Sequence, residues 1–312
     1  MSYIKFFKDI NKTSVSEAGG KGASLGEMTG VGISVPPGFV VVADAFDRFI
    51  EETHLKEEIE ARLAEVDPDD TNTVDKASNV LRDVIHDTSM PEDLEIEILK
   101  AFDGLGTEYV AIRSSATAED GEIASWAGEL DTFLNTTREN ILVKVRECWS
   151  SLFTPRAIFY RHEKGLIDAY VSVAVVVQKM IQSEISGIAF TVHPVTEDPN
   201  QMIIEAGFGL GEAVVSGQIT PDSYIISKDD MSIFNINIGE QNKKLIKDDF
   251  ENKWVELGGE GKKQKLNSKK IIELAKVCKR IEDHCGFPCD IEWAIENDNI
   301  YITQSRPITT LK

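Results

Sequence analysis

Apolar and polar positions along the chain alternate in two distinct periods, and these predict a succession of helices and strands. Residues 44–103 carry apolar repeats at helical spacing around a charged loop, Asp67-Pro68-Asp69-Asp70, with a capping-box signature from Ser89 to Glu92. EYVAIRSSATAED, residues 108–120, reads as a strand that ends in hydroxyls and acids. Two further helices follow, RENILVKVRECWSSLF and PRAIFYRHEKG, the second opening on Pro155 in its first turn. SVAVVVQKM is a buried strand with a polar end. From 184 to 238 the period shortens to two, giving the strands SGIAFTV, QMIIEAG, DSYIISK and SIFNINI. The polar, lysine-rich residues 239–268 read as an exposed excursion. In SKKIIELAKVCKRIEDHC, residues Ile271, Leu274, Ala275, Cys278 and Ile281 fall on one helical face, and Gly286 supplies the stop.

The last patterned stretch, CDIEWAIENDNIYITQSRP, is predicted to be a hairpin. Two alternating runs flank Asn297-Asp298-Asn299, residues that tolerate left-handed conformations. With Glu296 and Ile300 closing a three-residue loop, Glu292 falls opposite Gln304 and Asp290 opposite Arg306. Side chains two apart share a face, so these four project together, while Ile291, Trp293, Ile295 and Tyr301 take the other side. A carboxylate beside an amide oxygen offers hard donors suited to Mg²⁺, and a neighbouring arginine suits a phosphate. The same pattern also describes an amphipathic edge hairpin with a solvated face, and a one-residue slip would dissolve the pairing.

Composition narrows the possibilities. At 312 residues, with 42% hydrophobic and 28% charged residues, the chain has ample core for one bilobal unit or two domains. A net charge of −20 argues against nucleic acid and against an anionic membrane surface as partners. The most apolar run, VSVAVVVQKMI, is too short to cross a bilayer, and no stretch reads as a signal peptide. Four cysteines without a metal-ligand spacing fit a reducing cytoplasm.

Other segments add candidate chemistry. In SEAGGKGASLGEM, glycines free the backbone around Lys21 to approach a ligand, although the spacing is not that of a Walker A loop. Taken alone, the segment reads better as a glycine-rich surface turn with a solvated lysine. Arg113 at the strand's end, followed by Ser114, Ser115 and Thr117, suits a phosphate cradle; an ion pair with Glu119 or Asp120 is the alternative. The loop DGEIASWAGELDTFLN has the length and small residues of a lid, with Trp126 at its middle. Gln178 sits where a hinge amide would read an adenine edge. GFGLGE lacks dinucleotide-binding spacing.

Four separated segments together resemble the ATP-binding domain of the phosphoenolpyruvate synthase and pyruvate phosphate dikinase family: GGKGASLGEM, VAIRSSATAED with SWAGELDTFLN, SGIAFTVHPVT with EAGFGLGEAVVSG, and DIEWAIENDNIYITQSRP. Rifampin phosphotransferase shares this domain. The resemblance implies an α+β, ATP-grasp-type bilobal fold with ATP between lobes 1–182 and 183–312. It places the phosphate-binding lysine and arginine on Lys21 and Arg113, the loop glycine and threonine on Gly128 and Thr132, and the hinge glutamine on Gln178. The Mg²⁺-binding pair falls on Glu292 and Gln304, and the last phosphate arginine on Arg306. Asp290 shares their face without an assigned role. Full-length relatives continue into a swivelling phosphohistidine domain and a substrate domain; no GGxTxH-like motif occurs here, and His193 does not resemble the carrier histidine. The resemblance therefore implies the ATP-binding half of a dikinase, acting with a histidine-domain protein or subunit, as in split phenylphosphate synthase. The competing readings are a noncatalytic nucleotide-sensing or assembly module and an ATP-grasp ligase.

Overall fold

The computed structural model describes residues 2–117, 131–165, 171–248, 252–309 and 311. The chain divides into two compact units, Met1–Gly30 with Pro37–Met180, and Val31–Pro36 with Ile181–Lys312. Each unit is built on its own antiparallel sheet, which meets the α+β expectation.

The first unit runs β1 (Ile4–Phe6), α1 (Val15–Gly30), β2 (Gly38–Val41), α2 (Ala43–Glu52), α3 (Lys56–Ala64), α4 (Thr71–Asp87), α5 (Glu92–Leu105), β3 (Val110–Ala116), β4 (Thr132–Thr136), α6 (Ile141–Ser150), α7 (Pro155–Glu163) and β5 (Val173–Lys179). The strands pair antiparallel in the order β1-β2-β5-β3-β4. Alternation sends Phe39, Val41, Val110, Ile112, Val173, Val175 and Val177 into one core with Phe49, Leu81, Ile85, Leu94 and Trp149 from the helices. Phe49 and Trp149 stack there with ring centroids 5.0 Å apart.

Local chemistry explains the helix ends. The Asp70 side chain caps α4 by accepting from the Asn72 amide, and Thr154 caps α7 ahead of Pro155 by accepting from Ala157. The capping box expected at Ser89 does not form. Pro91 takes the cap position of α5 with no side-chain hydrogen bond, and its carbonyl receives the amides of Leu94 and Glu95.

The second unit runs β6 (Ile185–Phe190), β7 (Gln201–Phe208), α8 (Glu212–Val215), β8 (Asp222–Ser227), β9 (Ile233–Asn237), β10 (Lys243–Lys247), β11 (Asn252–Glu256), α9 (Ser268–Cys285), β12 (Cys289–Glu296) and β13 (Asn299–Pro307). Six strands pair in the order β13-β12-β6-β7-β8-β9, and β10 and β11 form a separate hairpin. Helix α9 lies against β7 and β12. It is capped by Asn267 and stopped by Gly286 at φ 79°. Its buried face is the predicted one, and Met202, Ile204, Tyr224, Ile226, Ile291 and Trp293 are buried from the strands. The opposite sheet face carries the half-exposed Ile188, Phe190, Ile203 and Ile225.

Residues 239–268 are only in part the exposed excursion that their polarity suggests. Lys265 is fully buried, and its Nζ donates to Asp222 Oδ1 at 2.8 Å, to Gly239 O at 2.7 Å and to Gly261 O at 3.2 Å. Asp222 also accepts from the Tyr224 hydroxyl and from the amides of Gly239 and Lys265. Every polar group of the pair is met, the condition for keeping a charge inside a protein.

Candidate functional site

In the first unit the candidate residues converge on one side of the five-stranded sheet. On β3, Arg113 and Ser115 point away from the core that receives Ile112 and Ala116. Arg113 lies opposite Val176 of β5 and Thr132 of β4, so Thr132 shares its side. Gln178, two residues beyond Val176 and opposite Gly38 and Ala111, is on that side too.

Helix α1 covers this side, and its small residues permit the approach. A Cβ on Gly22 would meet Val40 at 3.1 Å and Val176 at 3.7 Å. The glycine-rich turn expected around Lys21 is a kink within the helix, at Gly19 with φ 65° and ψ 174°. A Cβ on Gly19 would stand 2.2 Å from Ser115 Oγ and 2.4 Å from Ser115 O, so backbone takes the place of a side chain. The kink delivers the Lys21 amide to Ser115 Oγ at 3.1 Å, anchoring Lys21 beside the strand that carries Arg113.

The hydroxyls expected to cradle phosphate are largely engaged elsewhere. Ser115 Oγ holds the Lys21 amide, Ser114 Oγ is buried against Ser151 Oγ at 2.9 Å, and Thr117 Oγ1 donates to Ser172 O. Gln178 presents the opposite case. It is buried, and its Nε2 has no hydrogen-bond partner among the described residues. Native proteins seldom leave such a donor unmet, and a ligand acceptor would satisfy it. Gly128 and Trp126 lie outside the described residues, as do Glu119 and Asp120.

In the second unit the terminal hairpin has the predicted site pairing, reached by a different route. Glu292 is opposite Gln304 and Asp290 opposite Arg306. The loop, however, has two residues. Asn297 and Asp298, with φ 50° and 63°, form the turn, and Glu296 pairs with Asn299. That register alone would put Gln304 out of step with Glu292. A bulge between Trp293 and Glu292 leaves Thr303 as the extra residue and restores the pairing. It also corrects Tyr301, which pairs with Ala294, whereas Ile300 and Ile302 accompany Ile295 and Trp293.

Arg306 is exposed, and its Nε donates to Asp290 Oδ2 at 2.9 Å, so Asp290 fixes the guanidinium at the edge of the site face. Burial pushes the Asp290 carboxyl above its ordinary range, with Arg306 acting in the opposite direction. Glu292 carboxylate and Gln304 amide oxygen, side by side on neighbouring strands, are a donor set that fits Mg²⁺. Among the described residues no three His, Cys, Asp or Glu side chains group as metal ligands, so other ligands of such an ion would be water or phosphate oxygens. No described helix is long and apolar enough to cross a membrane.

Residues 15–312 match the family model of the pyruvate phosphate dikinase AMP/ATP-binding domain. A probable phosphoenolpyruvate synthase of Methanocaldococcus jannaschii is 46% identical over 321 residues, covering all of this chain and 27% of the relative. One from Archaeoglobus fulgidus is 48% identical over 99% of this chain and 42% of the relative. Rifampicin phosphotransferase of Bacillus cereus is 38% identical over 99% of this chain and 36% of its own length. The chain thus spans about a quarter to a half of these relatives. A D-alanine-D-alanine ligase structure from Helicobacter pylori aligns with TM-score 0.30 and 9% identity over 76% of this chain and 54% of that one, too slight a likeness to bear on the fold. The family match over nearly the whole length leaves one conclusion: this chain belongs to the pyruvate phosphate dikinase AMP/ATP-binding domain family.

Proposed function

We propose that this chain performs the ATP-dependent half of a dikinase reaction, in which a histidine on another domain or subunit attacks the β-phosphorus of ATP. The attack breaks the α–β bond and releases AMP, leaving a pyrophosphohistidine; water then cleaves its β–γ bond to release the γ-phosphate as inorganic phosphate, and the remaining phosphohistidine passes its group to a small acceptor such as pyruvate or a hydroxyl compound. The pairing of Glu292 with Gln304, with Arg306 two residues on, is the observation that carries this reading.

The chain's own residues bind and neutralise. Lys21 and Arg113 offset phosphate charge, and Arg306, oriented by Asp290, supplies a further guanidinium. The Gln178 amide donates to a base edge, and Thr132 and Gly128 approach the nucleotide. Glu292 and Gln304 hold Mg²⁺, which when bound neutralises developing charge on the phosphate oxygens. No residue of this chain has to act as a general base, because the nucleophile arrives from outside; catalysis is positioning and charge stabilisation. The four cysteines are free thiols, in keeping with a reducing cytoplasm.

Calorimetry with Mg·ATP tests the binding step. Binding that is lost or weakened tenfold or more in Glu292→Ala and Arg306→Ala supports the site; no binding, or undiminished binding in both variants, refutes it. Adding a histidine-bearing domain and following products tests the chemistry. AMP supports the dikinase, ADP would indicate a ligase, and neither product would indicate a sensing module.

A further inference from the structure

The stretch that follows β5 is tied to the far end of the strand that carries Glu292. Alternation along β12 puts Glu296 on the side of Asp290 and Glu292. Its Oε1 accepts the Gln182 amide at 2.7 Å. Close by, the Glu184 amide donates to Ile295 O at 2.9 Å, and Glu184 Oε1 accepts the Asn297 amide at 3.1 Å. The Ser183 hydroxyl donates to Gly209 O at 3.0 Å. The ladder between β12 and β6 ends at the Ile295–Ile185 pair, and the hairpin turns back at Asn297 and Asp298. A side chain therefore holds the Gln182 amide where regular pairing has run out. A carboxylate that accepts an amide makes a charge-assisted bond, stronger than a neutral one.

What Glu296 holds in place is unmet backbone. The amide and carbonyl of Ile181, directly before Gln182, make no hydrogen bond among the described residues, although Ile181 is buried. Gln178, three residues earlier, has the unmet Nε2. Buried donors and acceptors are seldom left unpaired, so a ligand edge that carries both an acceptor and a donor suits this stretch. Adenine, with N1 and its amino group, has such an edge. Distance agrees with it. Glu292 and Glu296 lie four residues apart on one face, about 13 Å at ~3.3 Å per residue, a span comparable with that from β-phosphate to base in a nucleoside triphosphate.

We infer that Glu296 is a positioning residue for base recognition: by holding the Gln182 amide it sets the Ile181 backbone at a fixed reach from Glu292 and Gln304, and so selects adenine over a base with the opposite edge. Ile181, Gln182, Glu292, Glu296 and Gln304 all belong to the second unit, so one sheet fixes both ends of the arrangement. Glu296 acts through the Gln182 amide and touches neither base nor metal. The inference rests on the nucleotide reading above and adds to it a residue that sets base selectivity.

The test compares Mg·ATP with Mg·ITP, which share ribose and triphosphate and differ at the base edge: hypoxanthine presents an acceptor and N1–H where adenine presents an amino donor and a bare N1. Calorimetry, with ITP measured by displacement, gives the ratio of affinities. The wild type should favour ATP at least tenfold. Glu296→Ala should lose about tenfold in ATP affinity with ITP changed less than twofold, whereas Glu296→Gln, whose amide oxygen still accepts, should keep the wild-type ratio. Hydrogen exchange followed by NMR should show the Gln182 amide at least tenfold faster in Glu296→Ala and still protected in Glu296→Gln. A ratio intact in Glu296→Ala, equal losses of ATP and ITP, a Glu296→Gln variant as poor as Glu296→Ala, or unchanged exchange at Gln182 would each overturn the inference. Wild-type binding of both nucleotides without discrimination overturns the positioning role alone. Binding of neither refutes the nucleotide reading, and the positioning role falls with it.

Discussion

Replacing Lys265 with methionine probes how the second unit holds residues 239–268. The substitution keeps the aliphatic stem and removes the Nζ bonds to Asp222, Gly239 O and Gly261 O. Asp222 remains fully buried with its charge uncompensated. Breaking a buried pair by deleting one partner costs about 3–5 kcal/mol. With a urea slope of about 2 kcal/mol/M, that lowers the unfolding midpoint of this unit by roughly 1.5–2.5 M. Hydrogen exchange read by mass spectrometry should show the protection loss concentrated in β8, in Gly239–Gln241 and in β10, where this network and Gln241 anchor the chain. The double variant Asp222→Asn/Lys265→Met should be more stable than Lys265→Met, because the stranded charge is gone. It should not regain wild-type stability, since an amide cannot satisfy every donor that Asp222 now serves. A midpoint shift below about 0.5 M for Lys265→Met, equivalent to ~1 kcal/mol, would refute the argument.

Other outcomes follow from single positions. Gly19→Ala should destabilise the first unit by about 2–5 kcal/mol, from positive-φ strain and from collision with Ser115, and should weaken ATP binding by displacing the Lys21 amide; thermal melts and calorimetry check both. Gln178→Leu should leave urea stability within about 1 kcal/mol of wild type, because Nε2 makes no bond among the described residues, while lowering ATP affinity about tenfold; an unchanged affinity would remove Gln178 from the site. Burial pushes the thiols of Cys148 and Cys278 up to about 12, so at pH 8 neither carries appreciable thiolate. Alkylation of the native protein should therefore spare both until urea unfolds the chain. Their reactivity should rise only as pH nears 12, and early modification of either at pH 8 would contradict their burial.

Much of the fold was legible because periodicity reports burial directly. The core face of α9, its stop at Gly286, and the alternating strands from 184 to 238 follow from which side chains must leave water. The site was legible where residues close in sequence share a strand, as Glu292 does with Asp290, and Gln304 with Arg306. Less was legible where distant segments meet. Ser115 looked like a phosphate ligand in the sequence, but its hydroxyl is taken by an amide 94 residues earlier in the chain.

The hairpin shows the division most plainly. Its two strands, their turn and the polar identity of one face were set by local alternation and by residues that accept positive φ. Which residue opposed which was decided by the sheet: the two-residue turn and the Thr303 bulge offset each other, and a bulge has no marker in an alternating sequence. Lys265 makes the same point through charge. A lysine in a lysine-rich stretch reads locally as solvated. Only tertiary structure gave it its buried partner, because burial and neighbourhood belong to the packed sheet and not to any window of sequence.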